Sequence, residues 1–181
     1  KARGMTIRST MMSIFFMATI SPRRIHFRLH ELRQGLLTLL STQVYTLSAS
    51  VKKKSTFFQE AFPHRYFEMG IAEQNMLSTA AGLALAGKVP FANSFAVFAS
   101  GRAYDQIRQT ISIASLNVNI CGSSAGLSDF GDGSTHQSVE DVAIMRAIPN
   151  MTVLVPLDAV QTKQMVRAAA NHPGPVYLRI N

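Results

Sequence analysis

The sequence predicts an α/β fold: a mostly parallel sheet covered by helices on both faces. Three observations lead there. Short apolar runs alternate with helical stretches from about residue 43 to the end of the chain, the pattern of parallel strands joined by helical crossovers. Proline and glycine punctuate the joints, at Pro63, Gly87, Pro149 and 171–174. The chain has 181 residues, 47% hydrophobic and 15% charged, enough for one domain with a packed core and unlike a disordered composition.

Residues 43–47 read as a first strand, 57–62 as a short helix ended by Pro63, and 65–67 as a second strand. The helix over 72–86 is almost wholly apolar and stops at Gly87. A strand over 89–93 leads to a helix from about 98 to 114. Tyr104, Ile107, Ile111 and Ala114 fall on one face of it, and Asp105, Arg108, Gln109 and Ser112 on the other. A strand over 117–121 opens into a glycine-rich loop, 122–133. A helix near 138–147 runs to Pro149, and a strand follows over 151–155. Asp158 caps the next helix, and 175–180 forms a last strand. No internal repeat is present. Ligands of such sheets bind at the carboxyl ends of the strands. The segments at Gly70, Ser94 and 122–133 all follow strands, so they are expected to gather at one edge.

Glu73 stands out at that edge. An acid in a first helical turn opposes the positive end of the helix dipole. Here the rest of the helix is apolar, so the carboxylate is expected in a buried or interfacial space. A buried carboxylate must find a partner or lose its charge, and a proton-donating group is expected to face it. Taken alone, the same residue would read as a helix-start glutamate tied to backbone amides.

Three segments carry a resemblance. They are Phe67-Glu68-Met69-Gly70-Ile71-Ala72-Glu73-Gln74-Asn75-Met76, residues 94–107 (SFAVFASGRAYDQI) and residues 125–137 (AGLSDFGDGSTHQ). In order and spacing they resemble the pyrimidine-binding domain of the transketolase family of thiamine diphosphate enzymes, continuously from about Thr56 to the C-terminus. The look-alikes include transketolases split into two subunits, of which this chain would be the C-terminal one. The resemblance implies the three-layer α/β/α thiamine diphosphate-binding fold over residues 41–181, with thiamine diphosphate as cofactor. It implies transfer of a two-carbon ketol unit between sugar phosphates. Synthesis of 1-deoxyxylulose 5-phosphate on the same domain, or a non-catalytic remnant that only binds a partner, are the alternatives.

The resemblance also implies roles for single residues. Glu73 takes the place of the glutamate that hydrogen-bonds N1′ of the cofactor pyrimidine; a carboxyl group in an apolar site can share a proton with a ring nitrogen. Phe95 and Phe98 take the place of aromatics that hold the ring, Phe98 by direct stacking; spacing alone reads them as core phenylalanines. Arg102, one turn beyond Phe98, is placed near the pyrimidine pocket or in a surface ion pair. Asp132 and His136 match an aspartate and a histidine that contact the sugar, and His136 can also donate to an oxyanion or shuttle protons. Gly131-Asp132-Gly133 runs directly into Thr135-His136-Gln137 after Ser134, so it reads as this substrate loop and not as a metal site. No phosphate-cradling motif is present. Diphosphate and magnesium are expected on a diphosphate-binding partner subunit, in a homo- or hetero-oligomer, and the chain alone is expected to be inactive. The small residues Ala80, Ala81, Gly82, Ala84 and Ala86 suggest a helix face for close packing against that partner. One departure stands out: relatives carry an acid in the segment matching 47–51, where this chain has Ser48 and Ser50.

The net charge of +8 is unevenly spread. Residues 1–56 hold ten Lys/Arg against the single acid Glu31, and 57–181 hold eight against nine, so +9 and −1 make up the total. The body is nearly neutral, and no aromatic–basic interleaving or zinc-finger spacing supports nucleic-acid binding. Residues 1–40 read as a basic leader or poorly ordered segment; its apolar run, 11–20, is too short to cross a bilayer, and both transit- and signal-peptide readings stay open. Cys121 is the only cysteine, which excludes an intrachain disulfide. In its apolar run it reads as a buried strand residue. A cytoplasmic location is expected, with organellar targeting left open.

Overall fold

The computed structural model describes residues 44–49 and 55–181. The expectations for the basic leader and for Ser50 fall outside them. Six strands form one sheet in the order β2-β1-β3-β4-β6-β5. They are β1 (Val44–Ser48), β2 (Tyr66–Glu68), β3 (Val89–Phe95), β4 (Asn119–Ser123), β5 (Thr152–Leu154) and β6 (Val176–Arg179). Every neighbouring pair is parallel, so all the carboxyl ends lie along one edge. The longer helical segments between them, among the described residues, are α1 (Thr56–Ala61), α2 (Glu73–Leu85), α3 (98–112), α4 (Asp141–Arg146) and α5 (Ala159–Ala169).

The helices cover both faces, which makes the predicted three layers. On one face α2 buries Met76, Leu77, Ala80 and Ala81, α3 buries Ala99, Ala103, Ile107 and Ile111, and α4 buries Met145. They pack on Leu47, Ala92, Ile120 and Tyr177 of the sheet. On the other face Phe58 of α1 and Val166 and Ala169 of α5 pack on Val44, Phe91, Cys121, Val176 and Leu178. Cys121 is fully buried there, and burial pushes its thiol pKa up, the environment of an inert cysteine. No helix among the described residues is long and apolar enough to cross a membrane.

Most boundaries differ from the sequence reading by one or two residues, as end assignments do. Three differences have physical content. The helix over 98–112 is not a regular α-helix. It is π-helical over Phe98–Arg102, α-helical over Tyr104–Gln106 and π-helical again over Ile107–Ser112. Bonds that skip five residues, such as Ile113 N–H to the Arg108 carbonyl at 3.2 Å, widen the turn and rotate the face. Ser112, expected outside, is therefore buried and donates to the Pro149 carbonyl, whereas Ala114 is exposed. Second, the small residues of α2 do not share one face: Ala80 and Ala81 point into the core and Gly82 and Ala86 are exposed. Third, the strand of the glycine-rich segment is Asn119–Ser123, so Gly122 belongs to the sheet and the loop starts after it. Asp158 caps α5 as read, its carboxylate accepting from the Gln161 N–H at 2.7 Å.

Gly122 also shows why a side chain is absent at that place. A Cβ there would lie 2.2 Å from the Tyr177 hydroxyl and 2.8 Å from Cζ of the same ring. Gly122→Ala is therefore expected to lower stability by about 1–3 kcal/mol through overpacking. Gly82→Ala meets nothing within 4 Å on an exposed helix face, and is expected to raise stability by roughly 0.5–1 kcal/mol. Urea denaturation of the two variants measures both signs.

Candidate functional site

The turn between β2 and α2 sets the first functional side chain. Gly70 has a φ of 64°, which an L-residue adopts at a cost. The chain reverses there and enters α2 with Glu73 as its first residue. Glu73 is 1% exposed. The expected proton-donating partners are present, and there are two. The Ser94 hydroxyl, at the end of β3, donates to Oε1 at 2.9 Å. Nη1 of Arg102, in the first π turn of α3, donates to Oε2 at 2.8 Å. Ser94 also lies 3.2 Å from the Ala49 carbonyl after β1, so three strand ends meet around one carboxyl group. Its two oxygens are distinct: Oε1 faces the buried hydroxyl, and Oε2 faces an arginine side chain that is 40% exposed.

The aromatic residues come next. Phe95 ends β3 and Phe98 opens the π turn, with ring centroids 6.0 Å apart, edge to face. His136 sets its ring edge-on against both, 5.3 Å from Phe95 and 5.0 Å from Phe98. The Arg102 guanidinium lies over the Phe98 ring, 4.2 Å from its centroid, within cation–π range. Arg102 is thus neither remote from the site nor in a mere surface pair: it joins the carboxylate to the aromatic face. Asp132 stands on the exposed rim of the same loop, four residues before His136, and its carbonyl accepts from the Thr135 hydroxyl at 3.2 Å. The Thr135 hydroxyl also lies 2.9 Å from Nδ1 of His136. Nε2 of that ring has no hydrogen-bond partner among the described residues.

A buried cluster that sequence reasoning missed holds this loop. Asp141, the first residue of α4, is fully buried. It accepts from the Tyr177 hydroxyl at 2.8 Å and from Nε of Arg179 at 3.0 Å, both on β6. Arg179 also donates to the Ser138 carbonyl at 3.4 Å. Ser138 and Gly126 exchange two backbone bonds, of 2.8 and 3.0 Å, that close the loop between them. His136 sits two residues before that closure, so its place against the phenylalanines follows from it. Burial and the neighbouring Asp141 carboxylate push the Tyr177 hydroxyl pKa well up, so it stays a hydrogen-bond donor. An acid at a helix start carries no sign of a partner 38 positions away, which is why the sequence did not reveal the cluster. Ser94 was missed for a different reason: one serine at a strand end has no pattern of its own.

The site brings together a buried carboxylate whose outer oxygen is held by a partly exposed arginine, an aromatic face under that arginine and an imidazole at the rim. That set fits the pyrimidine part of thiamine diphosphate, a flat nitrogen heterocycle held by stacking and an edge hydrogen bond. Comparison with known proteins shows the family. The family model described as transketolase, pyrimidine binding domain, matches residues 35–181. The chain belongs to the transketolase family. A putative transketolase C-terminal section of Methanocaldococcus jannaschii is 50% identical over 127 residues, covering 70% of this chain and 40% of that protein. The 6-deoxy-6-sulfo-D-fructose transketolase subunit SqwH of a Clostridium species is 39% identical over 167 residues, covering 88% of this chain and 52% of that one. A solved split-gene transketolase, described as an inactive β4 tetramer, superposes with a TM-score of 0.69 at 47% identity, over 81% of this chain and 48% of that one. The chain thus spans about half or less of the length of these relatives. Transketolase-family enzymes depend on thiamine diphosphate.

The Asp141 cluster yields a stability prediction. Asp141→Ala leaves the buried Tyr177 hydroxyl and the partly buried Arg179 guanidinium without their shared acceptor and is expected to cost about 2–4 kcal/mol. Asp141→Asn keeps an oxygen to accept and should lose less. Urea denaturation of the two variants measures the difference.

Proposed function

We propose that this chain supplies the pyrimidine-binding half of a thiamine diphosphate site, for transfer of a two-carbon ketol unit between sugar phosphates. The observation that carries the reading is the Glu73 carboxyl group, buried at the strand-end edge beside the Phe95–Phe98–His136 cluster. When bound, the cofactor would supply the carbanion chemistry that two-carbon transfer needs. Glu73 would hold the edge of the pyrimidine through a hydrogen bond and share a proton with its ring nitrogen. Phe98 would supply the stacking face, Phe95 supports it, and Arg102 stands at the same place, over Phe98 and paired to Glu73. His136, packed against both phenylalanines, would hydrogen-bond the substrate oxygen through Nε2, since Nδ1 faces Thr135. Asp132 at the loop rim takes a sugar hydroxyl.

Diphosphate and magnesium belong, in this reading, to a partner subunit. The glycine-rich loop here is closed on itself by the Gly126–Ser138 bridge and carries the histidine. A relative solved as an inactive β4 tetramer supports the view that a lone pyrimidine subunit has no activity. Exposed Ile71, Leu127, Phe130, Val139 and Leu157 all follow strand ends, at the same edge. They supply apolar surface for a partner to cover.

The test is reconstitution with a diphosphate-binding subunit, thiamine diphosphate and magnesium, with a ketose phosphate as donor. Glu73→Ala is expected to lower turnover by about 10²-fold or more, while the variant still assembles with its partner. A variant within a few-fold of wild type would remove Glu73 from the chemistry. Activity with pyruvate and not with a ketose phosphate would move the reaction to 1-deoxyxylulose 5-phosphate synthesis.

A further inference from the structure

We propose that Arg102 is a built-in occupant of the pyrimidine position, so that ligand entry requires its guanidinium to leave. The inference rests on the pyrimidine reading of Glu73 and deepens it. A flat ring bound here must satisfy two constraints at once: an edge hydrogen bond to Glu73 and a stack against Phe98. The Arg102 guanidinium already satisfies both. It is planar, it carries N–H donors on its edge, its Nη1 lies 2.8 Å from Oε2 of Glu73 and its Cζ lies 4.2 Å from the Phe98 centroid. Oε1 is committed to Ser94 on the buried side. Oε2 is therefore the oxygen open to a ligand, and it is the one that Arg102 holds. Oε2 can accept more than one hydrogen bond, but the face of Phe98 that the guanidinium covers cannot hold a ring at the same time.

The arrangement has a physical rationale. A carboxylate that is 1% exposed is costly without a cation. Arg102 compensates it while the subunit has no ligand. Its own side chain is 40% exposed, so it can swing into water at small desolvation cost when a ring arrives. It is mounted on a π turn, where such irregularities gather at functional sites. Arg102 thus stabilises the empty subunit at the expense of affinity, and the two effects have opposite signs. A purely structural arginine would lower both stability and binding when removed.

The experiment titrates thiamine, which lacks the diphosphate and needs no partner domain, into the full chain by calorimetry. Wild type, Arg102→Met, Arg102→Gln and Glu73→Gln are compared, with the melting temperature of each recorded. Arg102→Met is expected to bind about tenfold more tightly, the factor set by about 1.4 kcal/mol, and to melt lower than wild type. Arg102→Gln, which keeps a neutral donor near Glu73, is expected to fall between and covers the case in which the Met variant does not fold. In wild type, the side-chain ¹⁵N–¹H resonance of Arg102 is expected to shift on saturation with thiamine. Equal or weaker binding by both Arg102 variants, or an Arg102 resonance unmoved at saturation, overturns the inference while the pyrimidine reading stands, provided that Glu73→Gln weakens thiamine binding. Thiamine binding unchanged in Glu73→Gln, or absent from every form, overturns the pyrimidine reading and the inference with it.

Discussion

A carboxyl group removed from water at the first turn of a helix must be answered by donors, and the packing around Glu73 is arranged by that requirement. Ser94 and Arg102 answer it from two other elements. The contacts draw the end of β3 and the first turn of α3 onto the start of α2, on the face where these helices bury most of their apolar residues. The cost of a buried charge left alone is several kcal/mol. The same pairing that makes the local structure stable therefore places a carboxylate beside an aromatic face. On the proposed reading, stability and chemistry use one set of atoms.

Parallel strand direction turns this local fact into a site. Because all six strands run the same way, the turn after β2, the end of β3 and the loop after β4 open on one edge. The π turn at Phe98–Arg102 adds the fine placement, bringing the Phe98 ring under the guanidinium that reaches Glu73. The loop after β4 is tied within itself by Thr135 and by the Gly126–Ser138 pair, and it has a second anchor outside. Asp141, Tyr177 and Arg179 provide it from below through Ser138 and the loop closure. One buried carboxylate thus faces the cleft and another holds the loop that borders it.

The alternation of short apolar runs with helices was enough to recognise the parallel α/β sheet, since each strand buried on both sides leaves its mark in composition. Glu73 was legible because a lone acid opening an apolar helix is an anomaly that needs a partner. The identity of the partners was not legible. Ser94 lies 21 positions away and Arg102 lies 29, and neither has a local pattern that points back to Glu73. Helical periodicity misplaced Ser112 and Ala114, because a wheel drawn at 3.6 residues per turn cannot register π turns. Asp141 drew no reading at all, since an acid at a helix start is ordinary. In each case the missing information was long-range geometry, which a single sequence carries only indirectly.

The central claim is that Glu73 meets a ring nitrogen of the cofactor at a seam between two polypeptides. A crystal structure of the chain with its diphosphate-binding partner, thiamine diphosphate and magnesium tests it most directly. The account predicts a Glu73 carboxylate oxygen within about 2.6–3.0 Å of the pyrimidine N1′. It also predicts the ring on Phe98 and the Arg102 guanidinium displaced from its present place. A pyrimidine ring lying elsewhere, with Glu73 beyond about 3.5 Å of any ring nitrogen and still paired to Arg102, would contradict it.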